Sequence, residues 1–240
     1  MTRFLVVQHE PEAPGGWLTE RWTQLGITAD TVRGDLFETV PTRLEHDALV
    51  VLGGAMNADE DETYPWLAPT KALLRAAVAQ GVPTLGVCLG HQLMVSALGG
   101  EVVLNPRGRT SGLFPLSLTA DGDADPLLGG LSGRDVVHYN GDVVSRLPDG
   151  AERLATAPDG SVQAARFGPR AWGVQFHPET TPEIFEGWMT DFRPEPHEAP
   201  DSPATWLAQM ESRREANRTT GYAVADAFAA VVRLCPSRSA

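Results

Sequence analysis

Val82-Pro83-Thr84-Leu85-Gly86-Val87-Cys88-Leu89-Gly90-His91-Gln92 decides how the rest of this chain is read. Val82 to Leu85 is a short apolar run and suits a buried strand. Leu93-Met94-Val95-Ser96-Ala97-Leu98 has a helical pattern and stops at Gly99-Gly100. Cys88 therefore falls on a strand-to-helix turn, flanked at two residues' distance by Gly86 and Gly90. Such a turn is sharp, and glycine on both sides removes the Cβ clashes it would otherwise impose. The start of the following helix favours the thiolate. The Leu89 N–H would face the space in front of the sulfur, where an oxyanion forms. An inert core cysteine suits the same turn, and the local sequence does not choose between the two.

Outward from the elbow, strands and helices alternate. Residues 3–8 and 27–32 read as strands, with a helix over 17–25 stopped by Gly26. Residues 47–52 form an apolar strand ended by Gly53-Gly54. A polar loop over 55–63 carries Asp59, Glu60, Asp61 and Glu62, and residues 65–80 read as a helix. Alternation at this spacing implies βαβ units and a mostly parallel sheet, with ligands at the carboxyl ends of its strands. Gly53-Gly54 and Cys88 both lie at such ends.

Beyond Glu101 the texture changes. Residues 113–118, 136–139, 153–156, 162–167 and 171–176 are short strand candidates separated by Gly, Pro and Asp turns, which suits antiparallel pairs. A helix is expected over 181–192, a proline-rich linker over 193–203, and helices over 204–218 and 222–234. The organisation expected is one α/β domain over residues 1–192 and a linker with helical extension over 193–240. In the first of the last two helices Trp206, Leu207 and Met210 form the apolar face.

The chain has 240 residues and a formal net charge of −12. That balance argues against binding nucleic acid or an anionic membrane surface. The two cysteines, Cys88 and Cys235, form no metal or disulfide pattern, and no cofactor or metal site is expected. With no leader-like or membrane-spanning apolar run, a reducing cytoplasm is the expected location.

Gly173-Val174-Gln175-Phe176-His177-Pro178-Glu179 supplies what a thiol nucleophile needs. An imidazole can take and return its proton at neutral pH, and a carboxylate two positions later can orient the ring. Pro178 limits how far the two side chains drift. Alone, His-Pro-Glu is weak.

Together, in this order, the two motifs resemble the class I glutamine amidotransferases, a resemblance running from about Arg3 to Phe192. Gly53-Gly54-Ala55-Met56-Asn57 with Tyr64-Pro65-Trp66-Leu67 is most similar to their free-standing, GMP-synthase-like branch. The resemblance implies a flavodoxin-like α/β fold with added antiparallel strands. It implies Cys88 as nucleophile, His177 as base and then acid, and Glu179 as its orienter. It also implies an oxyanion hole from the N–H groups of Gly54 and Leu89, and substrate contacts from Gly53, Gln92, Asn140 and Gly141. Glutamine would be hydrolysed through a γ-glutamyl thioester, with ammonia passed to a separate synthetase partner.

Three departures stand out. Ala55 replaces a proline usual in relatives, which leaves the oxyanion loop less preformed. Asn140 stands where many relatives have a titrating histidine, and Thr110 where a glutamate usually reads the substrate α-amino group. These keep open another γ-glutamyl amide or peptide as substrate. A non-catalytic regulatory protein on the same fold is the remaining alternative. His9, His46 and His197 read as surface residues, His91 as structural, and the six tryptophans as core. The C-terminal helices are open between covering the sheet, a homodimer contact and a partner surface.

Overall fold

The computed structural model describes residues 1–190, 192–198 and 202–234. Its first half alternates β1 (Arg3–Gln8), α1 (Gly16–Gln24), β2 (Thr28–Arg33), β3 (Ala48–Val51), α2 (Leu67–Ala79), β4 (Thr84–Val87) and α3 (Leu89–Ala97). A strand-rich stretch follows, with β5 (Glu101–Leu104), β6 (Thr110–Pro115), β7 (Ser117–Leu118) and the one-turn α4 (Ala120–Asp123). It continues through β8 (Asp135–Asn140), β9 (Asp142–Arg146), β10 (Glu152–Thr156), β11 (Val162–Gly168) and β12 (Ala171–Val174). The helices α5 (Pro182–Met189), α6 (Ser202–Ser212) and α7 (Arg214–Arg233) come last.

Eight strands form one sheet in the order β2-β1-β3-β4-β12-β11-β10-β7. Neighbours from β2 through β12 run parallel, and β12-β11-β10-β7 run antiparallel. This is the expected α/β architecture with added antiparallel strands. β3, β4 and β12 are buried along their whole lengths, because helices cover both faces of the sheet. On one face Leu67, Leu74 and Leu93 from α2 and α3 pack with Leu49 and Val51. On the other, Trp22 of α1 and Phe228 of α7 close on Phe4 of β1, edge-on at 5.1 and 5.6 Å.

α7 is thus part of the core: Val224, Ala225, Phe228 and Ala229 are buried there, and Arg21 of α1 is bonded to Asp226. Trp206, Leu207 and Met210 of α6 pack with Phe185 and Val137, the apolar face read from the sequence. Cys235 lies outside the described residues.

Several expectations are corrected. The helix expected over 181–192 ends at Met189. The break expected over 219–221 falls instead at Arg213, and α7 runs straight through Gly221. A Cβ at Gly221 would sit 2.3 Å from the Pro178 carbonyl oxygen, so this mid-helix glycine serves a close approach and not a stop. β5 and β9, which pair antiparallel as a separate ribbon, were not foreseen. The residues of β5 are all exposed or half-buried, so no alternation marks it. His9 is fully buried and accepts a hydrogen bond from the Trp66 indole at 3.1 Å. His46 is largely buried against Asp30. His197 is exposed as expected, and its ring meets the Arg109 carbonyl at 2.9 Å.

Candidate active site

Cys88 has φ +50°, the left-handed region that a non-glycine residue adopts only when its surroundings force it. The forcing is visible in its neighbours. A Cβ on Gly86 would lie 2.5 Å from the Gly90 carbonyl oxygen, and one on Gly90 would lie 2.0 Å from the Val51 carbonyl oxygen. The two glycines let the turn close directly against β3. Cys88 N–H donates to the Val174 carbonyl at 2.8 Å, extending the β4–β12 ladder by one step.

That ladder sets the second motif beside the first. Val174 pairs with Val87, so Gln175 emerges next to Cys88 and His177 two residues further on. The His177 N–H donates to the Val137 carbonyl at 2.8 Å, which ties the loop to β8. His177 Nδ1 and Glu179 Oε1 are 2.7 Å apart and both side chains are buried. Among the described residues His177 Nε2 has no hydrogen-bond partner. Burial pushes this imidazole down, but the Glu179 carboxylate and Cys88 outweigh it and hold its pKa well above 6.5.

The His177-Pro178-Glu179 loop rests on two helices. The Trp17 N–H at the start of α1 donates to the Glu179 carbonyl at 2.9 Å. The bare backbone of Gly221 in α7 meets Pro178 from the other side.

A cavity of about 490 Å³ opens over Cys88 and His177. Its wall includes Gly54, Gln92, Asn140 and Gly141 from the sequence reading. Gly53 is not in the wall. It lies buried behind it, where an added Cβ would stand 3.2 Å from the His177 ring and 3.6 Å from the Cys88 Cβ. Gln92 donates to the Gln175 side chain at 3.2 Å and to the Asp142 carbonyl at 3.3 Å. The N–H groups of Gly54 and Leu89 make no hydrogen bond within the described residues. Ala55 N–H donates to the Glu10 carboxylate at 3.3 Å, an anchor for the loop whose proline is missing. His91 is buried against Gly173 and Phe167, on the structural side of α3.

Some site residues were not read from the sequence. Gln175 donates from Nε2 to the Cys88 sulfur at 3.5 Å, and its only signal was its place in the His177 motif. Trp188, expected as core, is half-buried in the cavity wall instead. Its ring centroid is 4.7 Å from that of His177, and it stacks on Tyr139 at 5.7 Å. Glu10, Glu12, Asp142 and Glu195 also line the cavity, from loops that no periodicity marks. The acidic loop is pinned, with Lys71 donating to the Ala58 carbonyl and to Asp61 at 3.0 and 2.6 Å.

The family described as glutamine amidotransferase class-I matches residues 16–192. The chain belongs to the class I glutamine amidotransferases. It is 32% identical over 196 residues to the glutamine-hydrolyzing GMP synthase subunit of Natronomonas pharaonis, an alignment covering 78% of this chain and 96% of that one. It is 30% identical over 181 residues to the glutamine-hydrolyzing GMP synthase of Aeropyrum pernix, covering 72% of this chain but only 33% of that longer protein. In fold, this amidotransferase is similar to a glutamine amidotransferase from Thermotoga maritima, with a TM-score of 0.83 at 24% identity, over 95% of this chain and 97% of that one. A glutamine amidotransferase from Methylobacillus flagellatus gives a TM-score of 0.85 at 23% identity, over 96% and 95% of the two chains. The family is one of enzymes, as the names of the curated relatives state. Among the described residues no helix is long and apolar enough to cross a membrane.

Proposed function

We propose that this amidotransferase hydrolyses a γ-carboxamide, with glutamine as the parent substrate, through Cys88, His177 and Glu179. The observation that carries the reading is the buried His177–Glu179 pair at 2.7 Å, beside a strained cysteine at the floor of one cavity. The Cys88 sulfur attacks the amide carbon. His177 takes the thiol proton and gives it to the departing nitrogen. Glu179 holds the ring through Nδ1 and stabilises its charged form, leaving Nε2 for the proton transfers. The N–H groups of Gly54 and Leu89 bind the oxyanion. Water then hydrolyses the γ-glutamyl thioester by the reverse steps and releases glutamate.

The relatives named as GMP synthase support a division of labour in which ammonia passes to a separate synthetase partner. A second reading, hydrolysis of a substituted γ-glutamyl amide, is favoured by Thr110 and Asn140, which stand where relatives carry glutamate and histidine.

The test is glutamate release by the purified chain beside Cys88→Ala. Release from glutamine or from a γ-glutamyl amide should fall at least about 10³-fold in the variant. Equal release by the two proteins would refute the thioester route.

A further inference from the structure

The cavity is charged far beyond what the triad needs. Four carboxylates line it, Glu10, Glu12, Asp142 and Glu195, and they converge from three separate segments. Glu10 and Glu12 follow β1, Asp142 begins β9, and Glu195 lies between α5 and α6. Among the described residues the one basic side chain in the wall outside the triad, Arg109, is already matched. Its Nε and Nη2 donate to the two carboxylate oxygens of Glu198 at 3.2 and 2.5 Å. Glu195 accepts the Arg109 backbone N–H at 2.9 Å and lies 3.7 Å from the exposed His197 ring, which is outside the wall. The four acids therefore have no dedicated cation within the wall.

Two further observations point to a ligand that supplies one. Asn140 is buried in the wall, and its Nδ2 is committed to the Asp142 carbonyl at 2.9 Å. Its Oδ1 is left with no partner among the described residues, and an amide oxygen can only accept. Beside it Tyr139 and Trp188 stack as an aromatic panel next to His177. An ammonium group suits both, as donor to an oxygen and as cation over a ring. Burial also holds Glu10 and Asp142 above the usual carboxylate range, Glu10 with added repulsion from Glu12 and Asp142 with added repulsion from Glu60 and Asp59. A bound cation would relieve that repulsion.

We infer that the preferred substrate is a γ-glutamyl amide of a diamine or polyamine, whose distal ammonium is read by Glu10, Asp142 and Glu195. This rests on the triad chemistry proposed above and narrows its substrate. The α-ammonium of the glutamyl part engages at most part of the acidic wall. The cavity, at about 490 Å³, has room for a chain beyond the glutamyl unit. The chemistry balances with water alone. The sulfur–carbon bond forms as the carbon–nitrogen bond breaks, and the amine leaves with the proton from His177. Hydrolysis of the thioester then gives glutamate and the free diamine. Glutamine is cleaved by the same steps, less efficiently, with ammonia leaving.

The experiment compares kcat/KM of the full chain on four substrates: glutamine, γ-glutamylputrescine, the uncharged γ-glutamylbutylamide, and the anionic γ-glutamyl-4-aminobutyrate. The cationic amide should exceed the uncharged one by at least about tenfold, and the anionic one by more. Raising salt from about 0.05 M to about 0.5 M should compress that ratio in the wild-type chain. The double variant Glu10→Gln/Glu195→Gln should lower it about tenfold, and the salt series stands as the readout should that variant not fold. Equal rates on the cationic and uncharged amides, or a preference for glutamine, would overturn this inference and leave the triad reading intact. Failure to cleave any of the four would overturn both.

Discussion

The two sides of the cavity are built on different principles. The Cys88 side is backbone. A strained turn is held because Gly86 and Gly90 let main chain touch main chain, and the ladder through Val174 fixes its position. The opposite side is side chains. Asn140, Trp188, Glu10 and Glu195 come from segments distant in sequence and are joined by single contacts such as Asn140 to the Asp142 carbonyl and Trp188 to the Glu12 carbonyl at 2.8 Å. The first side can fail only as a whole, because a backbone clash has no rotamer that escapes it. The second can be altered one residue at a time, which is what a wall that sets specificity requires.

The contrast can be broken most severely at Gly90. Gly90→Ala places a methyl 2.0 Å from the Val51 carbonyl, and backbone cannot swing aside as a side chain can. We expect a loss of at least about 3 kcal/mol, and a melting midpoint lowered by about 10 °C, read by thermal denaturation. A variant that melts with the wild type would show that the turn is not held by this contact.

Glu179→Gln tests the join between the two sides. The amide can present an N–H to His177 Nδ1 and so favour the wrong tautomer, and turnover should fall about 10³-fold with little change in fold. The raised pKa of His177 also has a sign in stability. A group held higher in the folded than in the unfolded chain stabilises fully below about pH 6.5, and that contribution is lost as pH rises through the raised value. In Glu179→Gln burial is opposed only by Cys88, so the slope should flatten. Urea midpoints measured between about pH 6 and pH 9 report it. An unchanged slope would remove Glu179 as its source.

The smallest effect belongs to the wall. Trp188→Ala removes a ring that lies 4.7 Å from His177 and stacks on Tyr139. We expect KM to rise about tenfold with kcat changed less, since about 1 kcal/mol of ring contact is lost while the triad bond remains. A collapse of kcat at constant KM would instead make Trp188 a support of the imidazole.

The same division explains what could be read in advance. The parallel half, the elbow and the His177 loop are written in local chemistry: apolar runs of strand length, glycines at fixed offsets, a base and a carboxylate two residues apart. Those signals carried the fold and the candidate triad. Gln175 was quoted within its motif, but its bond to the Cys88 sulfur depends on the register of β12 against β4, which no single segment encodes. Trp188 was taken for core because tryptophan usually is, and only the approach of α5 to His177 makes it a wall. His9 looked like a loop residue, and its burial follows from the Trp66 indole arriving from the far end of the acidic loop. The helix boundary misplaced near Gly221 is the converse case. A glycine usually marks a stop, and here it marks a touch.

That touch has a consequence in time. The elbow needs β3, β4 and β12, whereas the floor under Pro178 needs Gly221, which the ribosome adds long after Cys88 and His177. A chain emerging amino end first can shape its thiol early, but the imidazole loop stays without its support until α7 docks against α1. Synthesis therefore arms the nucleophile before the base, and the enzyme acquires its second catalytic group only once its core is closed.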